Sequence, residues 1–381
     1  MKKPSLSIVL PLCIVAVLGI IGCNDEPGPL GIKLLPPRDS VIVAATATTA
    51  TSDATYLERI TGASTTLLTG TSNGIEARML LGFSGIASIP VTNGIDSATL
   101  GLTINYRFLD STGTLAFEIR KMLASVNPAT FRWDSSTVAG AYSDTVSARF
   151  VKSVSPLDST ITLPLDTMLI RNWISTNGGS VIFLPQGNIV AGFTNGVSLL
   201  GDFRPLLKVY YHDASATPAT LSLRSAWGIY VADGPIVPPA DRIAVQSGIA
   251  GRGILHFDSI SVPQLSSVTE AILQIAIDTA QSLTNKFSID KIDAYIVGDA
   301  SPPFDSLALG LTLLPAYDNG QKVYQGNARF IVQQWLLHQV NRGIILRATG
   351  EQTTLDRFII YDANSPAALK PKLTITYTLL P

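Results

Sequence analysis

Several stretches of the chain alternate apolar and polar residues with a period of two. Between residues 99 and 108 the apolar side chains fall at every second position, with Thr, Gly, Asn and Arg between them. The same alternation recurs in 272–277 and in 373–379. Because successive side chains of a strand point to opposite faces, this period predicts strands that bury one face and expose the other.

Helical patterns are scarce along the rest of the chain. The best candidates are short segments around Trp173 and Trp335, and both are too brief to form a helical layer. Frequent Gly and Pro divide the remaining apolar positions into short segments. Strands with one polar face are stabilised by packing sheet on sheet, so the pattern predicts an all-β protein of β-sandwich domains, of a jelly-roll type.

Two Asn-Gly pairs, Asn73-Gly74 and Asn93-Gly94, predict tight hairpin turns because both residue types adopt positive φ easily. The first pair ends the stretch GTSNG at 70–74, which matches the G-x-S-x-G nucleophile elbow. That motif needs a strand, a sharp turn and then a helix, whereas an alternating strand follows here. We therefore expect a turn glycine at this place rather than a catalytic serine.

One set of landmarks occurs twice along the chain, in the same order. The matched stretches are 78–83 with 252–257, 96–104 with 269–277, 170–184 with 332–346, and 205–211 with 371–377. In the third pair, the tryptophan precedes the last leucine of the apolar run by eleven residues in both copies. This order predicts a duplication, with β-sandwich domain 1 at 40–212 and domain 2 at 220–381, joined by a Ser/Thr/Ala-rich stretch.

The N-terminus has the features of a secretory signal peptide over residues 1–22. Lys2 and Lys3 precede an apolar stretch at 6–22, which fits the charged and apolar regions of such a signal. Its length leaves an uncleaved membrane helix as the alternative. The stretch IIGC at 20–23 resembles the lipobox of bacterial lipoproteins. The resemblance implies cleavage before Cys23 and attachment of acyl chains such as palmitate to that residue, which anchors the protein in the membrane.

Residues 23–39 predict a tether between the lipidated cysteine and the first domain. Four prolines lie in this segment, and a largely extended chain of this kind spans about 3.1 Å per residue. The acidic stretch NDE at 24–26 resembles the export signal that some bacteria use to send lipoproteins to the outer face. These features predict a lipid-anchored protein of the bacterial cell envelope, in the outer membrane.

Composition narrows the choice of partners. Charged residues are 14% of the 381 residues against about 25% in an average globular protein, and the net charge is −1. Because no run of Lys and Arg is present, nucleic acid is excluded as an expected partner. Cys13 lies in the predicted signal and Cys23 is predicted to be acylated, so no disulfide and no thiolate metal site is expected in the mature chain.

The order of features resembles the DNRLRE-type domain, also called the disaggregatase-related repeat. The order in this chain is Arg before an apolar strand, an [S/E]-A-x-L strand, a short Trp-bearing helix, an apolar strand and a final Pro-x-Leu strand. The stretch FRWD at 131–134 resembles the tryptophan-bearing loop of that family. The resemblance implies a jelly-roll sandwich found in secreted and surface proteins, with carbohydrate binding in some members. The second copy has no clear equivalent of Trp133.

Residues with catalytic or metal-binding chemistry are scattered. Carboxylates supply the oxygen atoms of an acid/base pair or of a hard-cation site, and the candidates are Asp134, Asp144, Asp158, Asp166, Asp290, Asp293 and Asp299. No calcium-loop spacing is present, and no histidine has another His or Cys at ligand spacing. We expect no cofactor, no bound transition metal and no catalysis, while a structural calcium ion stays open.

Aromatic side chains carry more information, since exposed rings serve as apolar platforms for sugars. Trp173 and Trp335 are expected in the core because they occupy equivalent places on the short helices. Four other rings are the better candidates for exposure, two of them because they lie in or near loops, and each can either bind a ligand or pack. The candidate ligand-binding residues are Trp133, Trp227, Tyr142 and Tyr324.

Together these features predict a non-catalytic surface lipoprotein that binds carbohydrate through its β-sandwich modules. A structural or protein-interaction role in the envelope is the alternative, and a glycoside hydrolase is the third hypothesis. An exposed aromatic pair beside acids favours glycan binding, and a broad apolar patch favours a protein partner. Two convergent carboxylates in a cleft favour an enzyme.

Overall fold

A computed structural model describes residues 42–58, 64–110, 112–155, 159–199, 201–263, 266–285, 289–298, 306–337 and 340–379. The predicted signal peptide at 1–22, Cys23 and the tether at 23–39 lie outside the described residues. Within the described ranges, no helix has both the length and the apolar character needed to cross a membrane.

Strands form most of the described chain. The first twelve are β1 Ile42–Thr49, β2 Ser52–Leu57, β3 Thr66–Ser72, β4 Ile75–Ser84, β5 Gly94–Arg107, β6 Gly113–Met122, β7 Tyr142–Val154, β8 Thr160–Leu165, β9 Gly178–Pro185, β10 Val190–Thr194, β11 Val197–Ser198 and β12 Gly201–Asp202. The others are β13 Leu206–His212, β14 Pro218–Arg224, β15 Trp227–Asp233, β16 Arg242–Gln246, β17 Gly251–His256, β18 Ser266–Ala276, β19 Ile292–Val297, β20 Ser306–Asp318, β21 Gln321–Asn327, β22 Ile344–Ala348, β23 Arg357–Tyr361 and β24 Lys372–Leu379.

The described α-helices are short, as the sequence predicts. They are α1 Trp133–Thr137, α2 Thr167–Thr176 and α3 Arg329–Leu337, so the segments around Trp173 and Trp335 are helical. Asp166 caps α2, because its Oδ1 accepts a hydrogen bond from the backbone N–H of Met168 at 2.9 Å. Asn177, with φ of 53°, ends the same helix.

Two curled antiparallel sheets form sandwich-like domains, which confirms the predicted all-β sandwich class. The first sheet has the order β14-β13-β5-β10-β3-β4-β9-β6-β7, with β15 on β4 and β8 on β5. The second has the order β1-β24-β18-β21-β20-β19-β22-β17-β16-β23, with β2 on β17. We call the domains built on these sheets the first and the second sandwich.

The alternating strands supply the interior of each sandwich. Leu100 and Leu102 of β5 are buried with Trp173 in the core of the first sandwich. Leu273 and Ile275 of β18 lie in the core of the second sandwich. Each large side chain buried in this way contributes about 1.5–3 kcal/mol relative to an exposed one.

The pairing scheme of the first sandwich recurs in the second. β4 pairs with β3, β9 and β15, and β17 pairs with β16, β22 and β2. Likewise β13 lies between β5 and β14, as β24 lies between β18 and β1. The matched strands include 78–83 with 252–257 and 205–211 with 371–377, the stretches that the repeat in the sequence had paired.

The first two strands of the described chain belong to the second sandwich. β1 pairs with β24 and β2 pairs with β17, so this sandwich combines 42–57 with 242–379. The first sandwich takes β14 and β15 and covers 66–233. Sheet membership therefore departs from the predicted boundaries of 40–212 and 220–381. The physical reason is that hydrogen bonding between strands, rather than order along the chain, decides which sheet a strand joins.

A buried seam joins the two sandwiches. Leu355 of the second sandwich donates its backbone N–H to the hydroxyl of Tyr106 at 2.9 Å, and Asn285 Nδ2 donates to the carbonyl of Arg107 at 2.5 Å. Apolar side chains from both sides pack around these bonds. They include Leu68, Ile75, Phe108 and Tyr230 of the first sandwich and Ile249 and Leu355 of the second.

The two Asn-Gly pairs differ in outcome. Asn73 and Gly74 have φ of 50° and 78° and form the turn between β3 and β4, which confirms the hairpin there. The hairpin predicted at Asn93-Gly94 is wrong, because Gly94 begins β5 and neither residue has positive φ. Gly94 instead makes room for a side chain, since a Cβ on it would lie 2.3 Å from Nε2 of His212.

Candidate functional site

Three of the four candidate ligand-binding aromatics meet on the outer face of the first sandwich. Trp133, Trp227 and Tyr142 are half-buried there against apolar side chains that point away from the main core. Strand alternation explains this second layer, because Leu80 and Ile182 lie between core-facing neighbours on β4 and β9. We call the apolar side chains under these rings the outer cluster. Its members are Leu80, Met122, Phe131, Ile182, Ile229 and Val231.

The Trp133 ring is partly covered by an arginine. The Arg78 guanidinium carbon lies 4.3 Å from the ring centroid, within the range of a cation–π contact. Arg78 is itself held by Glu76, whose Oε1 accepts from Nε at 2.6 Å, and by the carbonyl of Ser136 at 3.2 Å. This indole is therefore packed against a fixed cation and does not offer a free platform on that face.

Trp227 lies directly on β4. A Cβ on Gly82 would lie 2.1 Å from Cε2 of the indole, so the glycine is what lets the ring approach the strand. Tyr142 begins β7 opposite Met122 of β6. The nearby loop borders an open cavity of about 420 Å³ lined by Phe131, by alanines, by Val138 and by neutral polar groups such as Asn127. Trp133, Trp227 and Tyr142 therefore pack against neighbouring side chains, which is one of the two roles that the sequence left open for them.

The expected exposure of Tyr324 is wrong. Its side chain is 0% exposed, and Phe358 meets it edge-on at 5.7 Å. The hydroxyl donates a hydrogen bond to Oδ1 of Asp290, whose Oδ2 also lies 2.8 Å from Nζ of Lys322. Burial, together with the Asp290 carboxylate, raises the pKa of Tyr324 well above its usual value. This tyrosine belongs to the core of the second sandwich.

The predicted lipid attachment at Cys23 falls outside the described residues. For the calcium question, the described part of the chain places no three His, Cys, Asp or Glu side chains where they could hold a metal ion. Asp166 and Asp290, two of the scattered acids, serve as a helix cap and as the partner of Lys322 and Tyr324.

A polar cleft of about 320 Å³ opens on the outer face of the second sandwich. Strands β17, β19 and β22 supply charged side chains, and the loop between β22 and β23, residues 349–356, supplies most of the remaining wall. We call this site the polar cleft. It is lined by Arg252, Asp293, Arg347, Ala348, Gly350, Glu351, Gln352 and Thr353.

Asp293 and Arg347 lie directly opposite each other on neighbouring strands of the cleft. The hydroxyl of Thr312 on β20 donates to Oδ1 of Asp293 at 2.7 Å. The Arg347 guanidinium carbon lies 3.8 Å from the ring centroid of Tyr295, a cation–π contact that restrains this long side chain. A hydrogen-bond acceptor and a hydrogen-bond donor are thus presented side by side.

Arg252 and Glu351 form a two-pronged ion pair at the other side of the cleft. Nε donates to Oε1 at 3.0 Å and Nη2 donates to Oε2 at 2.9 Å, with side chains only 11% and 10% exposed. Tyr56 of β2 lies directly opposite Arg252 in the β2–β17 register, and burial raises the pKa of Tyr56. Strand β2 therefore contributes a side chain to the support of this wall.

The first sandwich carries an acid at the strand position that corresponds to Asp293, and this acid is paired with two arginines. Glu118 occupies on β6 the place of Asp293 on β19, opposite Leu184 of β9. Arg120 Nη2 lies 2.7 Å from its Oε2 and Arg149 Nε lies 3.1 Å from its Oε1. Hydrogen bonding from Arg120 lowers the pKa of Glu118. The adjoining cleft of about 310 Å³ is lined by Phe117, Glu118, Arg149, Phe150, Val151 and Gln186.

Sequence reasoning named Asp293 as one of many acids and missed Tyr295, Arg347 and Glu351. A usable signal was the difference in length between the two connections that follow the apolar run, one in each copy. Residues 186–189 connect β9 to β10, whereas the polar stretch 349–356 connects β22 to β23. Because loops on a rigid scaffold commonly carry binding residues, the longer polar connection pointed to this edge.

No family model matches this chain, and no curated protein matches it. Among solved structures, "Structure of the Macrobrachium rosenbergii Nodavirus" shares 12% identity, over 100% of this chain and 96% of that chain, at a TM-score of 0.15. "Streptococcus agalactiae AgI/II polypeptide BspA C terminal domain (WT)" shares 10% identity, over 89% of this chain and 92% of that chain, at a TM-score of 0.15. Neither likeness carries an argument about function.

Proposed function

We propose that this protein is a non-catalytic carbohydrate-binding lipoprotein of the bacterial cell envelope, anchored in the membrane through acylated Cys23. The polar cleft of the second sandwich is its glycan site. The observation that supports this assignment is the balanced set of hydrogen-bonding side chains around one opening, two arginines facing two carboxylates.

The chemistry of the cleft fits a neutral polyhydroxylated ligand. A sugar hydroxyl both donates and accepts hydrogen bonds, so it pairs with carboxylate acceptors such as Asp293 and with the N–H groups of Arg347 and Gln352. Two positive and two negative side chains leave no excess charge in the cleft, which disfavours an anion or a cation as ligand. A volume of about 320 Å³ is at the lower end of the range for small-molecule sites.

The ion pair argues for binding without catalysis. A glycosidase needs one carboxylic acid that keeps its proton and a second carboxylate at a set distance. Both oxygens of Glu351 accept hydrogen bonds from Arg252, and both side chains are about one-tenth exposed. The oxygen atoms that a second catalytic carboxyl group would present to a sugar are thus already hydrogen-bonded to an arginine.

A protein-interaction role is the second candidate function. The observation that favours it is apolar exposure beside the loop cavity of the first sandwich. Leu123 is 59% exposed and Val138 is 62% exposed next to the half-buried Trp133. Apolar side chains grouped around a cavity are typical of protein contacts.

A glycan array probed with the full chain tests the glycan proposal, followed by calorimetric titration of each bound sugar. We expect Arg347→Ala to weaken binding at least tenfold, because it removes a donor beside Asp293. The matched control is Arg149→Ala, which changes an arginine in the corresponding cleft of the first sandwich and is expected to bind like the unmodified chain. Absence of binding to every glycan, or full binding by Arg347→Ala, contradicts the glycan site and favours the protein-interaction role.

A further inference from the structure

The second sandwich is completed by β1 and β2, which reach it from outside its own stretch of chain. We call them the closing strands; they are joined by a short turn but pair with other strands and not with each other. β1 pairs with β24 along Ile42–Thr49, and β2 pairs with β17 along Ser52–Leu57. The turn between them crosses from one layer to the other. There the N–H of Ala50 bonds to the carbonyl of Pro371 and the N–H of Thr51 bonds to the carbonyl of His256, both at 2.9 Å. Ala50 is only 3% exposed at this crossing.

The first sandwich has the same closure, made from adjacent chain. β14 follows β13 after the turn at 213–217, and the next crossing bonds Ser225 to Pro205 at 2.9 Å and Ala226 to Gly82 at 2.8 Å. These bonds match those of Ala50 and Thr51 one for one. The docking place for closing strands is therefore the same in both sandwiches, but only the second sandwich receives its closing strands from a distant segment.

We propose that the closing strands β1 and β2 are an exchangeable donor, and that the acceptor formed by β17 and β24 binds the same two strands of a second copy of this chain. Strand addition of this kind takes its affinity from backbone hydrogen bonds and its register from alternate side chains. The pairing of β1 with β24 and of β2 with β17 identifies the partner as a second copy, because every copy carries two strands that fit this acceptor. β1 contains no charged residue, so no charge on this strand opposes docking from another chain.

Chain connectivity sets when the exchange occurs. A donor segment linked to its own chain has an effective concentration in the millimolar range, which favours the closed monomer in dilute solution. Exchange therefore needs two conditions, release of the closing strands by unfolding and a high protein concentration on refolding. Mutual exchange closes a dimer, whereas donation to a third chain extends the assembly. This inference does not depend on the proposed glycan site.

Cross-linking after co-refolding tests the proposal. In the full chain with Cys13→Ser and Cys23→Ser, one preparation carries Ala47→Cys and another carries Thr374→Cys. These two positions are directly opposite in the β1–β24 register. The preparations are unfolded, mixed, refolded at high and at low protein concentration, and oxidised. We expect a disulfide-linked dimer of the two variants that rises with concentration.

The matched control uses the corresponding pair of the first sandwich, Lys208→Cys with Ser222→Cys, which are directly opposite on β13 and β14. Because β14 is tied closely to β13, we expect at least several-fold less mixed dimer. A third chain with both Ala47→Cys and Thr374→Cys reports docking, and it is expected to form an intrachain disulfide in dilute solution. No intrachain disulfide, or mixed dimer no more abundant than in the control at high concentration, overturns the proposal.

Discussion

The first sandwich packs aromatic side chains onto its outer face, whereas the second opens a polar cleft at the corresponding place. The strands beneath are matched, since Leu80 and Ile182 of the outer cluster correspond to Ile254 and Ile345. Among the described residues, a smaller apolar group covers the second face, formed by Ile254, Ile345, Val297 and Tyr56. The difference comes from the connections, which carry Trp133 in one sandwich and Glu351 in the other.

One arginine shows how the connections change the role of a matched residue. Arg78 and Arg252 occupy corresponding positions on β4 and β17. Arg78 lies on the Trp133 ring and pairs with Glu76, whose side chain is 36% exposed. Arg252 is enclosed between Glu351 and Tyr56. The same strand position therefore supports an apolar cover in one sandwich and the wall of a cleft in the other.

The two helix tryptophans give the largest expected difference in stability. Trp173 is 0% exposed and stacks on Phe83 at 5.7 Å, whereas Trp335 is partly buried at the edge of its core. We expect Trp173→Ala to lower the free energy of unfolding by about 4 kcal/mol, the usual cost of a large core cavity, and Trp335→Ala to cost about half as much. Denaturant unfolding of both variants measures this. Equal losses contradict the difference in burial.

Removing the acid of each arginine pair is expected to have a smaller effect. Glu351→Gln leaves the guanidinium of Arg252 without its charge partner in a site where both side chains are about one-tenth exposed, and we expect a loss of about 3 kcal/mol. Glu76→Gln changes a more exposed pair and is expected to cost less than about 1 kcal/mol. Denaturant titration at neutral pH compares them. A loss for Glu76→Gln as large as that for Glu351→Gln shows that burial does not decide the strength of these pairs.

Alkaline pH is expected to affect the second sandwich through Tyr324. Burial raises the pKa of Tyr324, so the folded state holds the proton more tightly than the unfolded state, whose tyrosines titrate near pH 10. This contribution to stability is present below about pH 10 and is lost as the pH rises further. We expect Tyr324→Phe to flatten the fall in stability above that pH.

Thermal unfolding at a series of pH values measures this slope. Tyr210→Phe is the control, because the Tyr210 side chain is 39% exposed on the first sandwich. It should leave the slope unchanged. An unaltered slope in Tyr324→Phe assigns the alkaline loss to other groups.

Local pattern was enough to predict strands and short helices, but not the side of a strand that each residue occupies. The equal spacing of Trp173 to Leu184 and of Trp335 to Leu346 suggested that the two leucines correspond. The strand register instead matches Leu346 with Phe183, so Leu346 is in the core while Leu184 lies on the outer face. A shift of one residue in the register moves every side chain of a strand to the opposite face of the sheet. Tyr324 differs from this case, because both it and Val323 are buried, so alternation along the strand does not separate a buried face from an exposed one.

By itself, the amino-acid sequence determined the all-β class, the repeated order of strands and the Asn73-Gly74 turn, because these depend on side-chain alternation and on residues close together in the chain. Only the tertiary structure decided that β1 and β2 close the second sandwich and that Arg252, Asp293, Arg347 and Glu351 meet in one cleft. Both outcomes depend on backbone hydrogen bonds between distant segments. Such bonds involve groups that every residue carries, so the residue pattern does not specify which strands will pair.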